Sequence, residues 1–164
     1  MSTPMTPVEF KALLAPVAAR LGGRALDQDL ENDLNREFSA GGADFEAIFS
    51  ACRGAITAGW MCNREAAGIR YGRVIKPDPE LGGFSVDVVR MQDLAGPHHR
   101  HPRGEIDLIM PLTPGATFDG RPAGWLVYGP DTSHSPTVAQ GSALILYLLP
   151  EGAIEFAKTE SGKP

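Results

Sequence analysis

Cysteine is nearly absent from this chain of 164 residues; only Cys52 and Cys62 occur. They form neither a CxxC pair nor a secreted disulfide framework, and Cys52 falls on an apolar helical stripe, so both are expected to be reduced and structural. Basic runs are absent too. With 15 Lys and Arg against 20 Asp and Glu the net charge is −5, which leaves a phosphate backbone no basic surface and excludes nucleic acid as a partner. The longest apolar stretch, Ala143 to Leu149, falls far short of the ~20 residues that span a bilayer. Met1 to Pro7 shows no charged start followed by an apolar run, as a secretory signal would. The expectation is a soluble, cytoplasmic protein with no membrane partner.

What is present suffices for one core. Hydrophobic residues make up 43% of the chain, enough at this length for a single domain with a sizeable interior. The first third reads as helix. Thr6-Pro7-Val8-Glu9 combines a capping threonine, a proline at the first helical position and a glutamate that can complete a capping box. Phe10, Leu13, Leu14, Val17 and Leu21 follow one helical face, with Pro16 expected to bend it and Gly22-Gly23 to end it. Leu26, Leu30 and Leu34 recur every four residues through a polar stretch, and Phe45, Ile48, Phe49, Cys52 and Ile56 form a fuller stripe after Gly41-Gly42. These stripes need a partner surface, either the rest of the chain or a second copy in a homodimer.

From about Gly59 the texture changes to strand. Short runs at Ile69–Ile75, Phe84–Met91, Glu105–Leu112, Trp125–Tyr128 and Ala143–Leu149 are separated by Gly, Pro and Asp. Such spacing predicts a sandwich or closed barrel. The fold class is therefore α+β. Residues 1–58 are expected to form a helical segment packed on a β-barrel of residues 59–157, with Pro77 to Gly83 a loop and 158–164 a flexible tail.

Histidine is rare but not scattered. His98, His99 and His101 stand just before Glu105, and His134 follows about thirty residues later. Strand side chains alternate faces, so His99 and His101 point the same way and can grip one cation. Pro102-Arg103-Gly104 has turn chemistry that lets Glu105 re-enter facing the same interior, and His134 is the remaining histidine able to complete the set. Imidazoles with one carboxylate suit a divalent ion such as iron, manganese, nickel or zinc, with positions left open for water or substrate. The plain alternative is a polar, histidine-rich loop. His98 has the wrong parity to join the other two and becomes a candidate acid or base. If Glu105 faces inward, so do Asp107 and Ile109, which makes Asp107 a second proton-transfer candidate. Tyr71, Arg73, Trp125, Tyr128 and Tyr147 are candidates to line an aromatic pocket with a cationic anchor, and Arg100 and Arg103 suggest an anionic small ligand.

The HxHxxxE pattern with a distant histidine resembles the cupin superfamily over roughly residues 68 to 157, which implies a double-stranded β-helix barrel with the metal inside. The glycines that usually flank the first motif are displaced, and Val138 stands where an asparagine is common. A narrower likeness rests on Asn63-Arg64-Glu65-Ala66-Ala67-Gly68-Ile69-Arg70-Tyr71-Gly72-Arg73-Val74-Ile75-Lys76-Pro77 and on His99-Arg100-His101-Pro102-Arg103-Gly104-Glu105-Ile106-Asp107. Together with the chain length and the helical first third, these segments resemble the bacterial 4-hydroxylaminobenzoate lyases.

That resemblance implies conversion of 4-hydroxylaminobenzoate and water to 3,4-dihydroxybenzoate and ammonia, as in nitroaromatic degradation, with no net redox change. It implies one divalent metal at His99, His101, Glu105 and His134; for that reaction the residues read above supply the candidates, His98 and Asp107 for proton transfer and Arg73, Tyr71 and Tyr128 for substrate contacts. Two other readings keep the same site: an iron dioxygenase acting on a small aromatic, and a non-catalytic cupin that binds a small ligand.

Overall fold

The computed structural model describes residues 5–156. Three helices come first: α1 (Pro7–Ala19), α2 (Gln28–Glu37) and α3 (Ala43–Ala58). The capping box of α1 is complete, with the Glu9 amide donating to Thr6 Oγ1 at 3.2 Å and the Thr6 amide to Glu9 Oε1 at 2.8 Å. The helix runs through Pro16. Leu26 lies before α2, because Asp27 caps that helix by accepting from the Leu30 amide at 3.0 Å. Gly59, at φ 92°, terminates α3 in the left-handed conformation that glycine adopts without a Cβ clash.

Ten strands follow, in chain order β1 (Arg64–Ala66), β2 (Ile69–Ile75), β3 (Phe84–Ala95), β4 (His99–His101), β5 (Glu105–Pro111), β6 (Thr117–Phe118), β7 (Gly124–Tyr128), β8 (Thr132–His134), β9 (Thr137–Pro150) and β10 (Glu155–Phe156). A single 3₁₀ turn, Pro79–Leu81, occupies the expected loop between β2 and β3. The larger sheet has the order β1-β2-β3-β9-β5-β7, with β6 also paired to β9; the smaller has the order β10-β4-β8. Every pairing is antiparallel.

Alternation divides the larger sheet between two cores. Val86, Val88, Ile106, Leu108, Met110, Leu144, Leu146 and Leu148 face the helices and pack with Phe10, Leu14, Leu30, Leu34, Phe45, Ile48 and Cys52. Met91, Ile109, Ile145, Tyr147 and Leu149 face the opposite way, with Phe118, Leu126 and Val138. Both faces are covered, so Ala143 to Leu149 is buried throughout and reads as an unbroken apolar run. The helical stripes find their partner surface within the chain. Trp125 lies on the helix side, its indole N–H donating to the Phe38 carbonyl at 3.0 Å, rather than in an aromatic pocket.

The α2 helix also closes a sheet edge. Asn35 Nδ2 donates to the Trp125 carbonyl at 2.9 Å and its Oδ1 accepts from the Trp125 amide at 2.8 Å, while Glu31 Oε1 accepts from the Val127 amide at 2.9 Å. Helix side chains thus satisfy backbone groups that an edge strand would leave open to another strand. Among the described residues no helix is long and apolar enough to cross a membrane. The expected tail, 158–164, lies outside the described residues.

Candidate metal centre

The smaller sheet assembles the imidazoles. Pairing of β4 with β8 sets His99 directly opposite His134 and His101 opposite Thr132. Cross-strand partners share a face, as do residues two apart, so the three rings converge with centroids 4.6 to 4.7 Å apart. The turn after β4 then delivers the carboxylate. Gly104 has φ +93°, and a Cβ there would lie 2.7 Å from the Tyr128 carbonyl oxygen, so only glycine fits. Glu105 follows as the first residue of β5 and is fully buried.

Glu105 Oε1 stands 3.0 Å from His101 Nε2 and 3.4 Å from His99 Nε2, and Oε2 stands 3.6 Å from His134 Nε2. One ligand atom from each of the four residues lies within 4.8 Å of the others. The nitrogens of His99 and His134 approach to 3.0 Å. Two lone pairs cannot face each other that closely unless a proton or a cation lies between them. His101 Nε2 and both Glu105 oxygens are buried without a hydrogen-bond partner, although such groups are ordinarily satisfied. These orphaned atoms are the set a divalent cation would satisfy, and nitrogen with one carboxylate is a donor set suited to a borderline ion.

The outer nitrogens fix two tautomers. Thr132 Oγ1 donates its only proton to the Gly129 carbonyl at 2.7 Å, so at 2.9 Å from His101 Nδ1 it must accept. His101 Nδ1 therefore carries the proton, and Nε2 presents a lone pair. Asp119 does the same for His134, accepting from Nδ1 at 2.5 Å. Burial pushes the Asp119 carboxyl up, but its bonds from His134, from the Tyr128 hydroxyl and from the Thr137 amide outweigh this and hold it below the ordinary carboxylate range. Sequence reading missed Asp119. It lies 15 positions from His134 in a turn, and nothing local marks it as a partner.

The family described as PnbB, 4-hydroxylaminobenzoate lyase, matches residues 12–156. The chain belongs to the 4-hydroxylaminobenzoate lyase family. A protein of that name from Nocardioides sp. (strain LMS-CY) is 32% identical over 95% of this chain and 96% of its own length. Another from Pseudomonas putida is 26% identical over 90% of this chain and 94% of its own. Among solved structures, an RmlC-like cupin protein from Ralstonia eutropha aligns at a TM-score of 0.43 and 15% identity over 60% of this chain and 64% of that one.

Around the four convergent groups, this 4-hydroxylaminobenzoate lyase family member arranges the other candidates unequally. Asp107, the next inward residue of β5, is buried with neither oxygen bonded. Burial and the adjacent Glu105 carboxylate raise its pKa well above the ordinary carboxylate value, which favours the neutral acid. Tyr128 stacks on His101 with ring centroids 5.3 Å apart and donates its hydroxyl to Asp119 Oδ2 at 2.5 Å. His98 points away and sits 3.0 Å from the Ser135 hydroxyl, exposed.

A cavity of about 940 Å³ opens beside His99, walled by Ile69, Val89, Met91, Tyr147 and Pro136 and also by Tyr71 and Arg73. The volume suits a small aromatic ligand. Arg73 is already paired, donating from Nε and Nη2 to the two oxygens of Asp87 at 2.9 and 3.1 Å. Arg100 pairs with Asp131 and Glu155, and Arg103 with Glu151. These two exposed arginines therefore answer neighbouring carboxylates, where the sequence suggested an anionic ligand.

Proposed function

We propose that this chain is a metal-dependent lyase that converts 4-hydroxylaminobenzoate and water to 3,4-dihydroxybenzoate and ammonia. Family membership carries the substrate. The buried, partnerless Nε2 of His101 and carboxylate oxygens of Glu105, facing His99 and His134 beside an apolar cavity, support the metal. Iron, manganese, nickel or zinc held by His99, His101, Glu105 and His134 would supply Lewis-acid stabilisation of the hydroxide that leaves nitrogen.

The chain's own residues do the rest. The cavity wall holds the ring, with Tyr71 and the Arg73–Asp87 pair as substrate-contacting groups on that wall and Tyr128, stacked on His101, as one beside the imidazoles. Breaking the N–O bond releases hydroxide, which takes a proton to become water. One water adds to the ring carbon beside nitrogen and a second replaces nitrogen, freeing ammonia, so the net consumption is one water and no oxidant. Asp107, kept neutral by burial, is placed to give a proton near Glu105, and His98 serves exchange at the exposed side. Proton delivery decides the product, since aromatisation before the C–N bond is hydrolysed gives an aminophenol instead of a catechol.

The two sheets are read as a cupin-like double-stranded β-helix in the expected span 59–157, described through residue 156, with the helices of the expected segment 1–58, described from residue 5, packed on it as one unit. We read the protein as cytoplasmic, acting in aromatic catabolism as a homodimer.

The test is elemental analysis of purified protein, then anaerobic incubation with 4-hydroxylaminobenzoate and assay of ammonia and 3,4-dihydroxybenzoate. Both products should form without oxygen, at a rate that tracks metal content. Turnover that requires oxygen would replace the lyase with a dioxygenase, and binding without turnover would leave a ligand-binding module.

A further inference from the structure

We propose that Arg64 anchors the carboxylate of the substrate and sets the specificity of the cavity for benzoates; this rests on the lyase reading. Two guanidinium groups line the cavity, Arg64 and Arg73. Arg73 is committed. Both oxygens of Asp87 occupy it, its Nη2 also reaches the Gly152 carbonyl at 3.4 Å, and a Cβ at Gly152 would come within 2.7 Å of its Nη1. A second carboxylate brought to that pair would meet the charge of Asp87 and a guanidinium whose fork is already filled.

Arg64 differs on each count. It stands on β1 opposite Tyr71, which stands opposite Val89, so the three share the face that lines the cavity. Among the described residues its side chain enters no ion pair. Burial along the cavity also has a direction. His99 is 3% exposed, whereas Arg64 is open to solvent. A para-substituted benzoate is rigid, with its nitrogen and carboxylate at opposite ends of the ring. Placed with nitrogen toward His99, it crosses the apolar wall of Ile69, Val89 and Met91 and leaves its carboxylate toward the mouth. There the anion keeps part of its hydration, and the exposed Arg64 guanidinium can pair with it, avoiding the cost of burying an unpaired charge.

The experiment compares wild type, Arg64→Gln, Arg64→Lys and Arg73→Gln. Steady-state kinetics with 4-hydroxylaminobenzoate are combined with equilibrium binding of 4-aminobenzoate, which keeps the carboxylate but has no N–O bond, and of aniline, which lacks the carboxylate. Arg64→Gln should weaken 4-aminobenzoate binding and raise KM about 10- to 100-fold, the size of a lost charge-assisted contact, with aniline binding unchanged. Arg64→Lys should recover part of the loss. Active Arg64→Gln with unaltered KM and 4-aminobenzoate affinity overturns the anchor, as does a carboxylate-selective loss confined to Arg73→Gln. A wild type that binds 4-aminobenzoate through Arg64 but releases no ammonia overturns the lyase reading and leaves the anchor standing.

Discussion

Asp119 and His134 are joined by a 2.5 Å hydrogen bond from imidazole Nδ1–H to carboxylate Oδ2, and the same oxygen accepts the Tyr128 hydroxyl at 2.5 Å. A carboxylate behind an imidazole fixes its tautomer and strengthens it as a metal ligand. Asp119→Ala should therefore weaken metal affinity about 10- to 100-fold, measured by competition with a chromophoric chelator. Tyr128→Phe keeps that bond and should cost far less. Equal metal affinity in Asp119→Ala and wild type would show that His134 needs no such support.

His101 offers the sharpest test of the centre. Its Nε2 is a preset lone pair 3.0 Å from Glu105 Oε1, so His101→Ala removes one of the four ligand atoms that converge there. Elemental analysis should find no stoichiometric metal, and ammonia release should fall to background. Unchanged turnover would refute the metal role.

Glu31 should govern part of the acid stability. Burial pushes its carboxyl up, but the Val127 amide, Gln28 and Arg121 outweigh this, and the pKa lies below the ordinary value. A lowered folded-state pKa gives stability that is complete above the unfolded carboxylate range and is lost as pH falls through that range toward the folded value. Glu31→Gln should flatten this acid limb and cost about 2 kcal/mol at neutral pH, the scale of a hydrogen bond to a charged group. Denaturant melts between pH 3 and 7, taken as about the range of carboxylate titration, read both; parallel curves for the two proteins would dismiss the assignment.

Neither cysteine should react in the folded protein. Burial raises the Cys52 thiol strongly and pushes Cys62 up to about 11, and both are free and buried. An aromatic disulfide reagent at mild alkaline pH should titrate no thiol until denaturant is added, and then two. Rapid labelling of the native protein would show that this core opens readily.

Much of the site was legible because its rules are local. The capping box at Thr6 and Glu9 spans four residues, and the shared face of His99 and His101 follows from the two-residue period of a strand. The same period placed Asp107 and Ile109 on one side of β5, with Ile106, Leu108 and Met110 on the other. The polar residues of α2 follow no such local rule. Glu31 and Asn35 have the composition of a solvent face, yet they bond the edge of β7, because a helix carboxylate or amide can stand in for a missing strand.

By itself, then, the sequence determined the order of the three helical segments and of the five longer strands, the parity of the histidines and the glutamate, and the helix cap, all set by hydrogen bonds and side-chain directions within a few residues. Only the tertiary structure decided that Asp119 stands behind His134, that Asp87 occupies Arg73 while Arg64 has no ion-pair partner among the described residues, and that Trp125 faces the helices. Those pairings depend on register between strands far apart in the chain, and a charged side chain carries no local mark of the partner that folding brings to it.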